Sequence, residues 1–271
     1  MSKTKKLLVM TLATAIVSTM GSSVISASSE SKVQPFTNTN APSSNEIIDL
    51  TQLTIDEILS NPLYNELEFD YNDVILFKEI EDFKESNPGL SDQSIVVEFD
   101  NKLDNQSADT VSIMSGDGYA QKWTILTNAE KLLIAGSPAR ALIVNSCRDK
   151  ADSYAKYSIY GQQKGAGTAK DAYRHAIWNA LMSKYVSKVD AKLFADAHEQ
   201  QDDPAYYDRY TDGIKNSEHT RMDYHNNQKG RDCWSVLTDS LAWTSDDDLK
   251  ERVVKKIKAG EMIVLNYNTG E

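Results

Sequence analysis

Residues 171–200 read "DAYRHAIWNALMSKYVSKVDAKLFADAHEQ", and the spacing of apolar residues here decides the fold class. At about 100° per residue, Trp178, Met182 and Tyr185 fall on one helical stripe, with Val186 at its border and Asp171 at its centre. His175 stands inside that stripe one turn beyond Asp171, and Arg174 flanks it. Polar side chains so placed must be hydrogen-bonded, ion-paired or metal-bound, because burying them unpaired is costly. A bland reading stands beside this one. Thr168-x-x-Asp171 fits a capping box, and a single buried histidine is often only a satisfied core residue.

Outward from this stretch the chain stays helical. Thr127-x-x-Glu130 opens a short helix that Gly136 closes, and Ser137-Pro138 starts a longer one running to about Tyr160. Further helices are expected from about Lys188 to Glu199, from about Met222 to Trp243, and after Ser245, where Asp246 to Asp248 complement the helix dipole. Strands and helices do not alternate, and no repeat is visible. Residues 120–271 therefore read as a mainly α, compact helical bundle.

Ahead of it, Lys3, Lys5 and Lys6, an apolar run from Leu7 to Met20 and the close Ile25-Ser26-Ala27 read as a secretory signal peptide over residues 1–27. Residues 28–48 are a Ser/Asn/Pro-rich linker. Residues 49–119 are acidic and partly helical. A capping box is expected at Thr54-x-x-Glu57, apolar positions follow at Leu59, Leu63, Leu67, Ile75, Leu76, Ile80 and Phe83, and Asn87-Pro88-Gly89 breaks the helix. "QSIVVEF" reads as a short strand. No later stretch is long and apolar enough to span a membrane, so an extracellular, secreted protein is expected.

Charge divides the chain. Residues 28–119 hold 4 basic against 19 acidic side chains, and residues 120–271 hold 22 against 21. With a formal charge of −11, the intact chain is a poor non-specific nucleic-acid binder, and residues 49–119 are candidates for an intramolecular cover over an anion-binding site. Cys147 and Cys233 allow one disulfide after export, or two buried free thiols.

The chemistry-bearing residues cluster. His175, His198, His219 and His225 all lie within 51 residues, each with acids close by. Imidazole and carboxylate are a ligand set for zinc, and carboxylates also suit manganese or magnesium. The expected metal ligands are His175, His198 and Asp223, with Glu199 as the alternative carboxylate; without a metal the same groups suit general acid and base work. In "RMDYHNNQKGRD", residues 221–232, the side chains Asp223, Asn226, Asn227, Gly230 and Arg231 share a helical face. A glycine in mid-helix costs up to about 1 kcal/mol relative to alanine, which is intelligible if another backbone packs against Gly230. His225 points away from Asp223. HExxH and GxSxG motifs are absent, as is a phosphate loop.

The blocks "DAYRHAIWNALM", "FADAHE" and "MDYHNNQKGR" resemble D-A-x-R-H-A-x-W, D-A-H-E and M-D-x-x-N-N-x-x-G-R of a poorly characterised bacterial domain family. It occurs in exported proteins and at the C-terminal ends of Rhs-type polymorphic toxins. The likeness covers residues 125–235 and implies one site assembled from three helices. The toxin association implies a hydrolase or transferase by analogy.

The expectation is a secreted hydrolase, metal-dependent, with a phosphoester or phospholipid-like substrate. His175, His198, Glu199, Asp223 and Arg174 would act catalytically, supported by Asp171, Trp178, Asp196, Asn226, Asn227 and Arg231. The competing reading is a non-enzymatic secreted or envelope-associated binding domain whose buried polar network fixes helix packing.

Overall fold

A computed structural model describes residues 53–108, 122–239 and 244–266. The expected signal peptide and linker lie outside the described residues, as do residues 109–121. The helices are α1 (Ile55–Ser60), α2 (Tyr71–Ser86), α3 (Asp92–Ala108), α4 (Asn128–Gly136), α5 (Pro138–Tyr157), α6 (Ala169–Tyr185), α7 (Lys188–Glu199), α8 (Asn216–Arg231) and α9 (Asp246–Lys258). A two-stranded antiparallel ribbon, β1 (Tyr210–Thr211) and β2 (Ile214–Lys215), pairs Tyr210 with Lys215 and Thr211 with Ile214. The protein is mainly α, as the apolar periodicity predicts.

Helix α6 is the central element, with α5, α7, α8 and α9 all packed on it. From Ala172 to Ser183 every residue except Arg174 is buried. The expected stripe is thus the visible part of a helix covered all round, and alanines at 172, 176 and 180 let its neighbours approach closely. Thr168 caps it, accepting the Asp171 N–H at 3.3 Å. The expected capping box is not reciprocal. The Asp171 carboxylate turns one residue further back and accepts the N–H of Gly167 at 2.9 Å. Gly167 has φ +75°, and its carbonyl receives the N–H groups of Leu265 and Asn266, fixing the end of the chain to the start of α6.

Gly230 on α8 rests on α6. A Cβ there would stand 2.1 Å from the carbonyl oxygen of Ala176, the close backbone approach that a mid-helix glycine suggests.

Three local expectations are corrected. "QSIVVEF" lies within helix α3, because Ile95, Val96, Phe99 and Leu103 are buried at helical spacing while Val97 is exposed. The β-branched run Ile95-Val96-Val97 hid that period. The helix expected from Met222 to Trp243 runs instead from Asn216 to Arg231. Its start follows the β-ribbon turn at Asp212-Gly213, both with positive φ, an Asp-Gly hairpin signal. Beyond its end Asp239 gathers a loop, accepting from Ser235 N at 2.6 Å, Thr244 Oγ1 at 2.8 Å and Arg252 at 2.8 Å. Leu59 and Leu63, apolar positions of the expected helical segment, are exposed.

The described part of the acidic segment is built into the core. Ile55, Ile58, Leu76, Phe77, Ile80, Ile95 and Phe99 share one buried cluster with Leu142, Ile143 and Leu181. Its carboxylates meet cations of the later chain: Asp73 with Lys122 at 2.9 Å, Asp100 with Lys131 at 2.8 Å, and Glu66 with Lys184 at 3.1 Å. Part of the charge asymmetry is therefore complementary pairing between the acidic segment and the later chain. Cys147 and Cys233 are buried free thiols, which settles the choice left open by the sequence; burial pushes the Cys233 thiol up to about 11. Among the described residues no helix is long and apolar enough to cross a membrane.

Candidate metal centre

Three helices deliver the site. Asp171 and His175 stand one turn apart near the start of α6, and Asp223 faces them from the middle of α8. Their ligand atoms lie within 4.8 Å of one another, so Asp171, His175 and Asp223 form a group that can hold a metal ion. His175 Nε2 is 3.4 Å from Asp223 Oδ1 and 3.7 Å from Asp171 Oδ1. Asp223 Oδ1 is buried without a hydrogen-bond partner, and so is His175 Nδ1. A buried carboxylate oxygen without a donor is uncommon, and one aimed at an imidazole nitrogen is what a cation site requires.

The C-terminal end of α7 supplies the backing. Glu199 Oε1 lies 3.4 Å from His175 Nδ1 and accepts Asn227 Nδ2 at 3.1 Å. Asn227 Oδ1 in turn accepts Asn179 Nδ2 at 2.7 Å, and Asn179 Oδ1 accepts Arg231 Nη1 at 2.6 Å. A chain of buried polar groups thus runs from Arg231 to Glu199 and ends behind the imidazole. A carboxylate behind one ring nitrogen orients the other toward a metal.

Arg174 completes the site. Its Nη2 donates to Asp171 Oδ1 at 2.8 Å and to His175 Nε2 at 2.8 Å. With Nε2 accepting, the ring proton belongs on Nδ1, facing Glu199. The surroundings move the titrations. Burial, and then the Arg174 charge, pulls His175 down to about 3, so the ring is neutral at physiological pH. Burial, reinforced by Glu199 and Asp171, pushes Asp223 up to about 9. Burial raises Glu199 as well. Burial also pushes Asp171 upward, but its interactions with His175 and with the Arg174 charge, and the Gly167 N–H, outweigh it and hold the group low.

His198 is not in the metal group, a correction to the expected ligand set. Adjacent residues on a helix point about 100° apart, and Glu199 takes the inward direction. His198 turns to Glu130, with Nδ1 2.8 Å from Oε1. Its ring lies 6.3 Å from that of His175 and meets the edge of Trp178 at 5.3 Å. Asp171, expected only to support, takes the place of His198. Asp196 pairs with Lys192 on the same helix and is not one of the metal group. Asn226 grips the C-terminal segment, bonding both the N–H and the carbonyl of Ile263 at 2.9 Å. His225 faces the Glu261 carbonyl, and His219 that of Thr211.

Two residues of the network escaped the sequence reading. Glu130 looked like a helix-capping residue and nothing more. Asn179 had a signal: it sits one turn beyond His175 and donates to the His175 carbonyl at 3.1 Å, extending the same polar line along α6.

The fold and site define a helical domain built around a buried Asp/His/Asp group. Residues 131–261 match the model of a family described as "Domain of unknown function (DUF6973)". The match takes in α5 to α9 and therefore all three residues of the group. No curated protein and no solved structure matches the chain.

Proposed function

We propose that this chain is a divalent-metal-dependent hydrolase with a phosphoester or phospholipid-like substrate, acting outside the cytoplasm. The observation that carries this reading is the convergence of Asp171, His175 and Asp223, with Asp223 Oδ1 buried and unpartnered at 3.4 Å from His175 Nε2. Asp171 Oδ1, His175 Nε2 and Asp223 Oδ1 would hold the ion. Two carboxylates and one imidazole suit manganese or magnesium, and zinc is also compatible. Such an ion acidifies a bound water and polarises a phosphoryl oxygen. Glu199 fixes the His175 tautomer. Arg174, permanently charged and forked, binds an anionic oxygen of the substrate. The lysine-rich, apolar first residues support export, and the acidity of the intact chain disfavours nucleic acid as the substrate.

Elemental analysis of protein purified without a histidine tag tests this, combined with phosphomonoester and phosphodiester hydrolysis before and after chelation. One bound ion per chain is expected, lost together with hydrolysis in His175→Ala and Asp223→Asn without unfolding. Hydrolysis by metal-free protein would shift the chemistry to acid and base catalysis.

A second reading is favoured by the chain Arg231–Asn179–Asn227–Glu199, whose bonds are made without any ligand. In it the polar core fixes the packing of α6, α7 and α8 in a non-enzymatic secreted or envelope-associated binding domain. A metal-free, inactive wild type that unfolds on substitution of His175 would favour it.

A further inference from the structure

Arg174 presents a conflict, and its resolution rests on the metal-centre reading above. Its Nη2 lies 2.8 Å from both Asp171 Oδ1 and His175 Nε2, atoms that a metal ion would have to bond. The protein thus carries its own cation against the metal-binding atoms. A guanidinium cannot yield by losing its proton, so it must move before a divalent ion enters.

The route out is visible. The Arg174 side chain is about a third exposed, and its Nε is already 3.9 Å from Asp152 Oδ1 on α5. Asp152 is itself 55% exposed, so its attraction is weakened by solvent and does not replace two partly buried hydrogen bonds. An anion with several oxygens does more. It accepts the fork of the displaced guanidinium and at the same time faces the entering metal ion.

We propose that the site binds its divalent cation and a phosphate-class oxyanion as a coupled pair, and that Arg174 is the residue that couples them. Without the anion, Arg174 holds Asp171 and His175 and competes with the metal. With it, the side chain turns outward past Asp152 and the competition ends. Coupling of this kind is reciprocal, so metal tightens the anion by the factor by which the anion tightens metal. A tetrahedral oxyanion gives two oxygens to the fork and turns others to the ion, whereas a carboxylate must share the same two oxygens between them, which is why a tetrahedral oxyanion is the assigned class.

The test is titration of the full chain with Mn2+, free ion being read by electron paramagnetic resonance, with and without inorganic phosphate. Phosphate is expected to tighten Mn2+ binding roughly tenfold, a usual size for coupled sites. Arg174→Gln should bind Mn2+ more tightly than wild type in the absence of phosphate and lose the phosphate effect. Arg174→Lys, which keeps the charge without the fork, should bind phosphate poorly and lose most of the coupling. Asp152→Asn removes the outer anchor and should weaken Mn2+ binding when phosphate is absent. Equal Mn2+ affinity in wild type and Arg174→Gln, with no response to phosphate in either, overturns the coupling and leaves the metal centre standing. Failure of all forms to bind Mn2+, with or without phosphate, overturns the metal centre and the coupling together.

Discussion

Gly230 of α8 lies on the backbone of Ala176 in α6 so closely that an added Cβ would come within 2.1 Å of the Ala176 carbonyl oxygen and 2.7 Å of its Cα. Both obstacles are main chain in the middle of a helix and cannot turn aside. Gly230→Ala, which in an exposed helix would be stabilising, should here cost about 3 kcal/mol or more. The same contact sets the distance between Asp223 and His175, so Mn2+ binding should fall as well. Urea denaturation and Mn2+ titration of the variant check both effects.

The Gly230 contact also marks how far the sequence could be read. A glycine where a helix should not want one, and an Asp/His pair inside an apolar stripe, are local anomalies, and both pointed to α6 and α8. The direction of a side chain is not local. His198 and Glu199 are neighbours with equal claims as ligands, and only the rotation of α7 against α6 decides that Glu199 backs His175 while His198 leaves for Glu130. The misread strand and the misplaced ends of α8 have another cause. In both, tertiary burial and one Asp-Gly turn outweighed propensity, as at Ile95 and Val96.

Asp223→Asn should separate stability from function. Asp223 is 9% exposed, and its Oδ1 has no donor. An amide in its place removes a carboxylate that burial and two neighbouring acids, Glu199 and Asp171, already disfavour. Stability should stay level or rise by roughly 0.5–2 kcal/mol, the gain typical when a functional residue is relieved of an unfavourable environment. Mn2+ binding should be lost. A thermal melt with metal-free protein is the comparison to make. A fall in melting temperature as large as that of Gly230→Ala would mean that Asp223 is structural.

Asn227→Ala should break the polar chain at its middle. It takes from Asn179 Nδ2 one of its two acceptors, leaving the His175 carbonyl, and removes the donor that fixes Glu199 Oε1. Each buried group left unsatisfied costs roughly 1–3 kcal/mol. Because Arg231 holds the far end through Asn179, the Asn227→Ala and Arg231→Met costs should not add. A coupling of about 0.5 kcal/mol or more in a double-mutant cycle by chemical denaturation is expected. Simple additivity would show that the chain is two independent contacts.

Asp246 predicts how the fold responds to acid. It opens α9 and ties that helix to the core through Lys150 at 2.6 Å, Lys184 at 2.8 Å and the Tyr154 hydroxyl at 2.9 Å. Burial pushes its carboxyl up, but the bonds from Lys150 and Lys184 outweigh that and hold it below the ordinary value. A carboxylate whose folded pKa lies under its unfolded value of about 3.9 adds stability that is fully present above the unfolded value. That contribution disappears as pH falls through the folded one. Wild type should therefore exceed Asp246→Asn by roughly 1.5–3 kcal/mol near neutrality, the worth of hydrogen bonds to a charged group. The gap should narrow once the pH drops below about 4. Denaturation curves at intervals from neutral to acid pH follow both proteins, and a gap that stayed constant across that range would show that packing at the start of α9, not the carboxylate charge, holds it to α5 and α6.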